Sequence, residues 1–195
     1  MKITIANAAN MKVAYLLLVI LVAGGFVILI AFFSAVSDVR TPIEVDENSM
    51  AMISDRDYFP NVANALESAN SSVHIIIYSA NYYLDYPNSS TNILFDELER
   101  LSDEGKDVRM IVDEDATDAP VVRMMKERGI NIKFDSSATT THAKLIIIDS
   151  KIIIIGSTNW SYNSIEKNHE TNVMINSVSL AKQYEGYFER VWSES

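Results

Sequence analysis

The first feature of the hydrophobic pattern is a long apolar segment near the N-terminus. Residues 13–37 contain no charged side chain and consist mostly of Leu, Val, Ile, Ala and Phe. A helix needs about 20 apolar residues to cross a bilayer, so the segment predicts a transmembrane helix. A secretory signal peptide has a shorter apolar region, and cleavage near Ala35 or Ser37 is the alternative interpretation.

The flanks of this segment indicate its orientation. Lys2 and Lys12 precede it, whereas acidic residues outnumber basic ones behind it. Positive residues tend to stay in the cytoplasm. We therefore predict a cytoplasmic N-terminus over 1–12 and a polar linker over 38–49. The domain that follows, 50–195, is predicted to be extracytoplasmic on a single-pass membrane protein.

Beyond the linker, apolar residues alternate between the periods of strands and helices. Strands are predicted at residues 50–54, 72–79, 107–113, 130–134, 142–149, 151–157 and 170–175. Helices are predicted at residues 60–68, 92–103, 119–128 and 178–191. This alternation predicts an α/β fold with a mixed, largely parallel sheet between helices. The tight corner at 149–151 predicts a hairpin within that sheet.

Composition limits the number of domains and the kinds of partner. A chain of 195 residues has room for one ordinary domain and an appendage. Residues 38–195 carry 14 Lys and Arg against 26 Asp and Glu, a net charge of −12. Such acidity weakens binding to nucleic acid and to anionic lipid surfaces. The chain has no cysteine, which excludes disulfides.

The candidate chemistry lies on the predicted hairpin. His142 and Lys144 are two residues apart, as are Ser157 and Asn159. Side chains two apart on a strand share a face, so an in-register hairpin brings all four together at its open end. An imidazole, an ammonium, an amide and a hydroxyl around one point suit a tetrahedral oxyanion. His74, inside an apolar run, is instead expected to be a structural histidine.

Together these residues form the pattern HxKxxxxD followed by GSxN. Its members are His142, Lys144, Asp149, Gly156, Ser157 and Asn159. The pattern resembles the signature of the phospholipase D superfamily, and the similarity extends over about residues 50–192. It is similar to the small members with one copy of the motif, among them bacterial endonucleases and mitochondrial cardiolipin hydrolases. The resemblance implies a phospholipase D/nuclease-like fold and a phosphodiesterase activity.

The resemblance also implies a role for each site residue. His142 attacks phosphorus to form a phosphohistidine, which divides one displacement into two steps. Lys144, Ser157 and Asn159 bind the phosphate oxygens, and Glu170 accepts a hydrogen bond from the other imidazole nitrogen. No metal and no cofactor take part.

Two further expectations concern Asp149 and the assembly. Asp149 is counted with the catalytic residues of the motif, but it is an odd number of residues from His142, so it is predicted to have a structural role or to support the site residues indirectly. His74 and His169 do not lie in a second copy of the motif. Members with one copy form homodimers, and a two-fold interface brings both His142 residues to one site. The second imidazole then supplies the acid for the leaving group.

Other functions stay open at this point. The acidic residues Asp113, Glu114, Asp115 and Asp118 follow a predicted strand and are a candidate metal site. A degenerate, inactive binding module tethered to the membrane is a second alternative. For the enzyme, the anchor favours a phospholipid substrate, and the single-motif architecture favours an endonuclease acting on DNA or RNA.

Overall fold

The observed elements follow the predicted alternation of strands and helices. A computed structural model describes residues 46, 49–136 and 138–195. The strands are β1 (Met50–Ser54), β2 (Ser72–Ile77), β3 (Asp107–Val112), β4 (Asn131–Phe134), β5 (Lys144–Ile148), β6 (Ile152–Gly156) and β7 (Thr171–Asn176). The helices are α1 (Tyr58–Glu67), α2 (Ser90–Asp103), α3 (Ala119–Glu127), α4 (Tyr162–Glu166) and α5 (Val178–Glu194), with a 3₁₀ turn at Asp55–Asp57. Among the described strands and α-helices, only α4 is absent from the prediction, because five residues are too few to show a helical period.

Within the described residues, the seven strands form one mixed sheet in the order β1-β7-β6-β5-β2-β3-β4. Parallel pairing is limited to β2, β3 and β4. The pairs β1/β7, β7/β6, β6/β5 and β5/β2 are antiparallel. The prediction of a largely parallel sheet is therefore wrong. The apolar pattern shows that strands are buried but not their direction, and of the connections around β6 only the tight turn from β5 requires an antiparallel neighbour.

Helices cover both faces of the sheet, as predicted. Successive residues of β2 enter different cores: Ile75 and Ile77 belong to one cluster, and Ile76 belongs to the other. This division follows from the alternation of side chains along a strand. The first core also receives residues of α1, α2, α3 and α4. The second is closed by α5, whose residue Phe188 is fully buried and whose residues Leu180, Tyr184 and Tyr187 are partly buried.

The β5–β6 hairpin has a tightly fixed tip. Asp149 and Ser150 adopt φ values of 52° and 48°, a left-handed conformation that Asp tolerates better than most residues. The Asp149 carboxylate accepts hydrogen bonds from the backbone N–H groups of Asn70, Ser71 and Ser72 and from the Ser71 hydroxyl. Burial alone raises the pKa of this carboxyl, but the hydrogen bonds outweigh it and hold the pKa below 3.8. The tip is thereby held against the start of β2.

His74 is the structural histidine that the sequence predicts. It is 5% exposed, and its ring stacks on Phe188 at 4.7 Å between centroids. Its Nδ1 lies 2.6 Å from a Glu185 oxygen, and its Nε2 lies 3.1 Å from an Asp107 oxygen. Both ring nitrogens are therefore engaged, and the contact with Glu185 joins the sheet to α5.

The predicted anchor at 13–37 lies outside the described residues. Among the helices of the described part, none combines the length and the apolar character that a membrane span needs.

We expect Asp149→Asn to destabilise the chain by about 1–3 kcal/mol at pH 7, because charged hydrogen bonds contribute about that much. The native pKa is lowered, so the stabilisation is present above pH 3.8 and is lost as the pH falls through the native pKa. Urea unfolding of the full-length chain in detergent measures both effects. The control Asp103→Asn changes an exposed carboxylate on α2. Equal stability of the three chains at pH 7 would contradict the assigned role.

Gly156→Ala is expected to destabilise the chain by about 1–3 kcal/mol through overpacking at the end of β6. A Cβ at this position would lie 2.5 Å from the Cα of Asn172 and closer still to the Thr171 carbonyl oxygen. The matched control is Gly186→Ala in α5, where a Cβ meets nothing within 4 Å. That exchange is expected to stabilise the helix by about 0.5–1 kcal/mol. Thermal unfolding of both variants checks the opposite signs.

Candidate active site

The predicted site residues lie at one end of the sheet. At this end β2 and β6 finish, while β5 and β7 begin. Register brings the strand ends side by side: Ile77 pairs with Lys144, and Gly156 pairs with Asn172. The hairpin is in register, with Leu145 opposite Ile155. The fold therefore places the HxK and GSxN parts of the motif at the same end of the sheet, as the sequence predicts.

His142 stands just before β5 rather than on it, and its side chain is exposed. Its ring lies 4.6 Å from the ring of Tyr78, tilted by 50°. No hydrogen bond joins the imidazole to any residue in the described part of the chain. Its nitrogens are thus open to an incoming ligand, which a nucleophile requires.

Lys144 places a buried ammonium beside the backbone of His142. It is 8% exposed, and its Nζ donates a hydrogen bond of 2.8 Å to the carbonyl oxygen of His142. The same Nζ lies 4.9 Å from the centre of the Tyr78 ring. Burial lowers the pKa of this ammonium from 10.5, while the negative charges of Glu170 and Asp113 act in the opposite direction. A partly desolvated cation interacts more strongly with an anion than one in water.

Asn159 is held by a hydrogen bond from the backbone of Ser79, the residue that follows Tyr78. The backbone N–H of Ser79 donates a hydrogen bond of 3.2 Å to the Asn159 Oδ1. This contact fixes the amide so that Nδ2 points elsewhere, and Nδ2 donates to none of the described residues. A fixed amide with an unused N–H is suited to hold a phosphate oxygen. Tyr78 and Ser79 thus link the HxK part of the motif to the GSxN part. In the sequence these two residues are only the end of an apolar run.

Ser157 and Glu170 form a pair across the β6–β7 connection. The Ser157 hydroxyl donates to a Glu170 carboxylate oxygen and accepts from the backbone N–H of Thr171 at 3.1 Å. The other Glu170 oxygen accepts from the Asn168 amide at 3.0 Å. The predicted hydrogen bond between Glu170 and the His142 imidazole is not formed among the described residues. Glu170 instead binds Ser157 and acts on Lys144 through its charge.

Buried partners hold the segment that carries Ser157 and Asn159. Thr158 lies between them and is fully buried. The Asn172 side chain accepts from the Thr158 N–H at 3.3 Å and donates to its hydroxyl at 2.8 Å. Trp160 is also fully buried and donates to the Tyr58 hydroxyl at 3.1 Å. The sequence analysis missed Asn172, whose signal was its position two residues after Glu170.

The remaining candidates lie apart from this cluster or serve it indirectly. Asp149 is at the opposite end of β5, where it forms the hairpin contacts. Asp113 is buried and accepts from the N–H of Asp115 and Thr141, and Asp135 also accepts from Thr141. Glu114 and Asp118 are exposed. The described residues contain no group of three or more His, Asp or Glu that could hold a metal ion.

Comparison with known proteins identifies relatives of this chain. The profile of a family described as "Cardiolipin synthase, PLD-like domain" matches residues 62–192. Mitochondrial cardiolipin hydrolase of Mus musculus is 30% identical over 96 residues, which is 48% of this chain and 43% of that protein. The Xenopus laevis protein of the same name is 29% identical over 89 residues, 45% of this chain and 42% of that protein. The chain thus spans about two fifths of the length of these relatives.

Solved structures share the fold. Nuc from Salmonella typhimurium, a phospholipase D family member, superposes with a TM-score of 0.63 at 23% identity, covering 74% of this chain and 95% of that one. NucT from Helicobacter pylori gives 0.61 at 20% identity, covering 74% and 96%. The family profile covers more than half of the sequence, and the residues of the HxK and GSxN patterns meet at one edge of the sheet. The chain belongs to the PLD-like family of the phospholipase D superfamily.

Proposed function

We propose that the protein is a phosphodiesterase that hydrolyses a phospholipid without a metal, through a phosphohistidine at His142. The observation that carries this proposal is the pairing of an exposed imidazole with the buried ammonium of Lys144, which is bonded to the His142 carbonyl. A nucleophile beside a fixed cation can approach phosphorus while the developing charge is neutralised.

The reaction has two displacements at phosphorus. In the first, a ring nitrogen of His142 forms a bond to phosphorus, the ester P–O bond breaks, and the departing alcohol oxygen takes a proton from a general acid. In the second, water attacks phosphorus and gives a proton to the same group, now a base. The P–N bond breaks, His142 is restored, and a phosphomonoester leaves.

The neighbours of His142 have roles that fit their contacts. Lys144 and the unused N–H of Asn159 bind the non-bridging oxygens, where charge builds up in the transition state. Ser157 adds a hydroxyl at the rim of the site. Glu170 holds Ser157 in place and favours the charged form of Lys144. The contact with the imidazole that the family resemblance implies is not formed among the described residues, so the role of Glu170 here is limited to Ser157 and Lys144.

The general acid comes from a second copy of the chain. His74 has both nitrogens engaged, and His169 is a fully exposed side chain beside Asp55. Neither suits protonation of a leaving group at His142. A two-fold homodimer supplies His142 of the partner subunit at the same site.

The acidic net charge of the domain and the predicted membrane anchor both favour a phospholipid as the substrate. The domain has too few cations to bind a long polyanion strongly. The apolar segment 13–37, as an anchor, raises the local concentration of membrane lipid. The curated relatives are cardiolipin hydrolases by name. An endonuclease is the second candidate, because one motif in a small domain offers the same chemistry to a nucleic acid.

The assay that tests this function uses the full-length chain in detergent with EDTA. Phosphatidylcholine, cardiolipin, and single- and double-stranded DNA and RNA are offered separately. We expect lipid hydrolysis that survives EDTA. Hydrolysis of nucleic acid alone would establish the second candidate. Activity that requires a divalent cation would contradict the metal-free mechanism, and a chain inactive on every substrate would be a binding module.

His142→Asn is expected to lower activity by at least about a thousandfold, since the nucleophile of a covalent mechanism is lost. The matched control is His169→Asn, which alters an exposed histidine outside the cluster and should keep near-normal activity. Intact mass spectrometry after an alkaline quench should detect on the wild-type chain an adduct with the mass of the phosphatidyl group, which keeps the second ester bond. The adduct should be absent from His142→Asn. An adduct on another residue would move the nucleophile elsewhere.

Mixed dimers test the shared site. Co-expression of wild-type and His142→Asn chains in equal amounts should give about a quarter of wild-type activity, because only fully wild-type dimers keep both imidazoles. Independent subunits would give about a half. Differently tagged chains allow the mixed dimer to be purified and assayed directly. A fully active monomer, identified by its mass in solution, would refute the composite site.

A further inference from the structure

Two buried carboxylates meet on the residue that precedes His142. Thr141 is buried, and its backbone N–H donates to the Asp113 Oδ2 at 3.1 Å and to the Asp135 Oδ2 at 2.9 Å. Both aspartate side chains are buried as well. The contact lies beside the proposed nucleophile but takes no direct part in the two displacements.

The sheet brings these two carboxylates together. Asp113 follows β3, and Asp135 follows β4. The two strands are parallel, with Val112 opposite Phe134. Strand β3 is also parallel to β2, with Val112 opposite Ile77. Both aspartates therefore stand at the end of the sheet that carries the candidate active site.

The chain has to cross this end of the sheet to reach the site. Strand β4 lies at the edge, and β2 and β3 lie between it and β5, so the connection from β4 to β5 has to pass the ends of both. Asp113 and Asp135 bind this connection at Thr141, just before His142. The His142 side chain forms no hydrogen bond with the described residues, so its position is set by its backbone and by its contact with Tyr78.

Each of the two carboxylates uses both of its oxygens. The Oδ1 of Asp113 accepts from the N–H of Asp115 at 3.0 Å, and the Oδ1 of Asp135 accepts from the N–H of Glu114 at 3.2 Å. The two side chains thus join the connection after β3 to the connection before β5. An amide has only one acceptor oxygen, so asparagine at either position would turn an NH2 group toward one of these donors.

Asp113 also acts on the cation of the site. Burial lowers the pKa of the Lys144 ammonium, and the negative charges of Glu170 and Asp113 oppose that effect. Asp113 therefore favours the charged form of Lys144 while it binds the backbone next to His142.

We propose that Asp113 and Asp135 are positioning residues for the reaction at phosphorus, because by sharing the Thr141 N–H they fix the backbone from which the His142 imidazole attacks. This inference rests on the proposed phosphodiesterase function. The two carboxylates act through Thr141 and not on the substrate. Their effect on the rate is nevertheless large, since misplacing a reacting group by about 1 Å can cost about a hundredfold.

The rate of adduct formation tests the proposal in the full-length chain in detergent. Asp113→Asn and Asp135→Asn preserve the size of each side chain, and the matched control Asp118→Asn changes an exposed carboxylate on the connection after β3. The phosphatidyl adduct is followed over time after mixing with phosphatidylcholine. Its rate constant of formation should fall by about tenfold or more in each buried variant and stay unchanged in Asp118→Asn.

A purely structural role would give a different result. Destabilised variants would form less adduct, because unfolded chains form none, but their folded chains would react with the wild-type rate constant. A smaller amount of adduct with an unchanged rate constant would therefore overturn the proposal.

Hydrogen exchange separates this inference from the proposed function. Exchange of the Thr141 amide, measured by mass spectrometry, should quicken by about tenfold in each buried variant, because its N–H is bound less firmly. Exchange in β5 should stay unchanged, and faster exchange there as well would overturn the proposal. If only Thr141 responds but the wild-type chain forms no adduct, the proposed function fails and the contact keeps its role in fixing the backbone. If the wild-type chain forms the adduct and the variants form it equally fast, the positioning role fails alone.

Discussion

The antiparallel pairing of β5 with β6 is the constraint on which the site depends. Because Leu145 lies opposite Ile155, the residues before β5 and those after β6 emerge at the same edge of the sheet. A slip of one residue in this register would exchange the two faces of a strand that is buried on both. That exchange would destabilise the isoleucine core, and it would also displace Lys144 and Ser157. Packing in the interior thus sets the distances at the surface.

Most of the architecture was predictable because it follows from periodicity. The strands and the four longer helices have apolar residues at the spacing their conformation requires, and Gly105 and Gly129, at φ values of 79° and 82°, follow the ends of α2 and α3. Strand direction was not predictable from the same signal, because a strand with two buried faces looks alike in either direction. The short helix α4 was also not predicted, although Ser161, whose side chain caps it, marks its start.

The candidate site shows a similar division. His142, Lys144, Ser157 and Asn159 were predictable because two short patterns lie on neighbouring strands. The contacts that join them depend on residues with no pattern of their own, such as Tyr78, whose ring touches both His142 and Lys144. Long-range partners of this kind become neighbours only through the sheet order, which places β2 beside β5. Sequence spacing can propose the reactive groups, but the aromatic surface beneath them appears only in three dimensions.

His74 and His142 differ in whether their ring nitrogens have partners among the described residues. The His74 Nδ1 lies 2.6 Å from a Glu185 carboxylate oxygen, and Arg109 donates a hydrogen bond to Nε2 at 2.8 Å. Such a ring is too buried to meet an electrophile, and both of its nitrogens are engaged. The ring of His142 packs against Tyr78, and its nitrogens form no hydrogen bond with the described residues. A neighbouring side chain that bonded to the His142 ring would therefore remove the nucleophile that the proposed reaction needs.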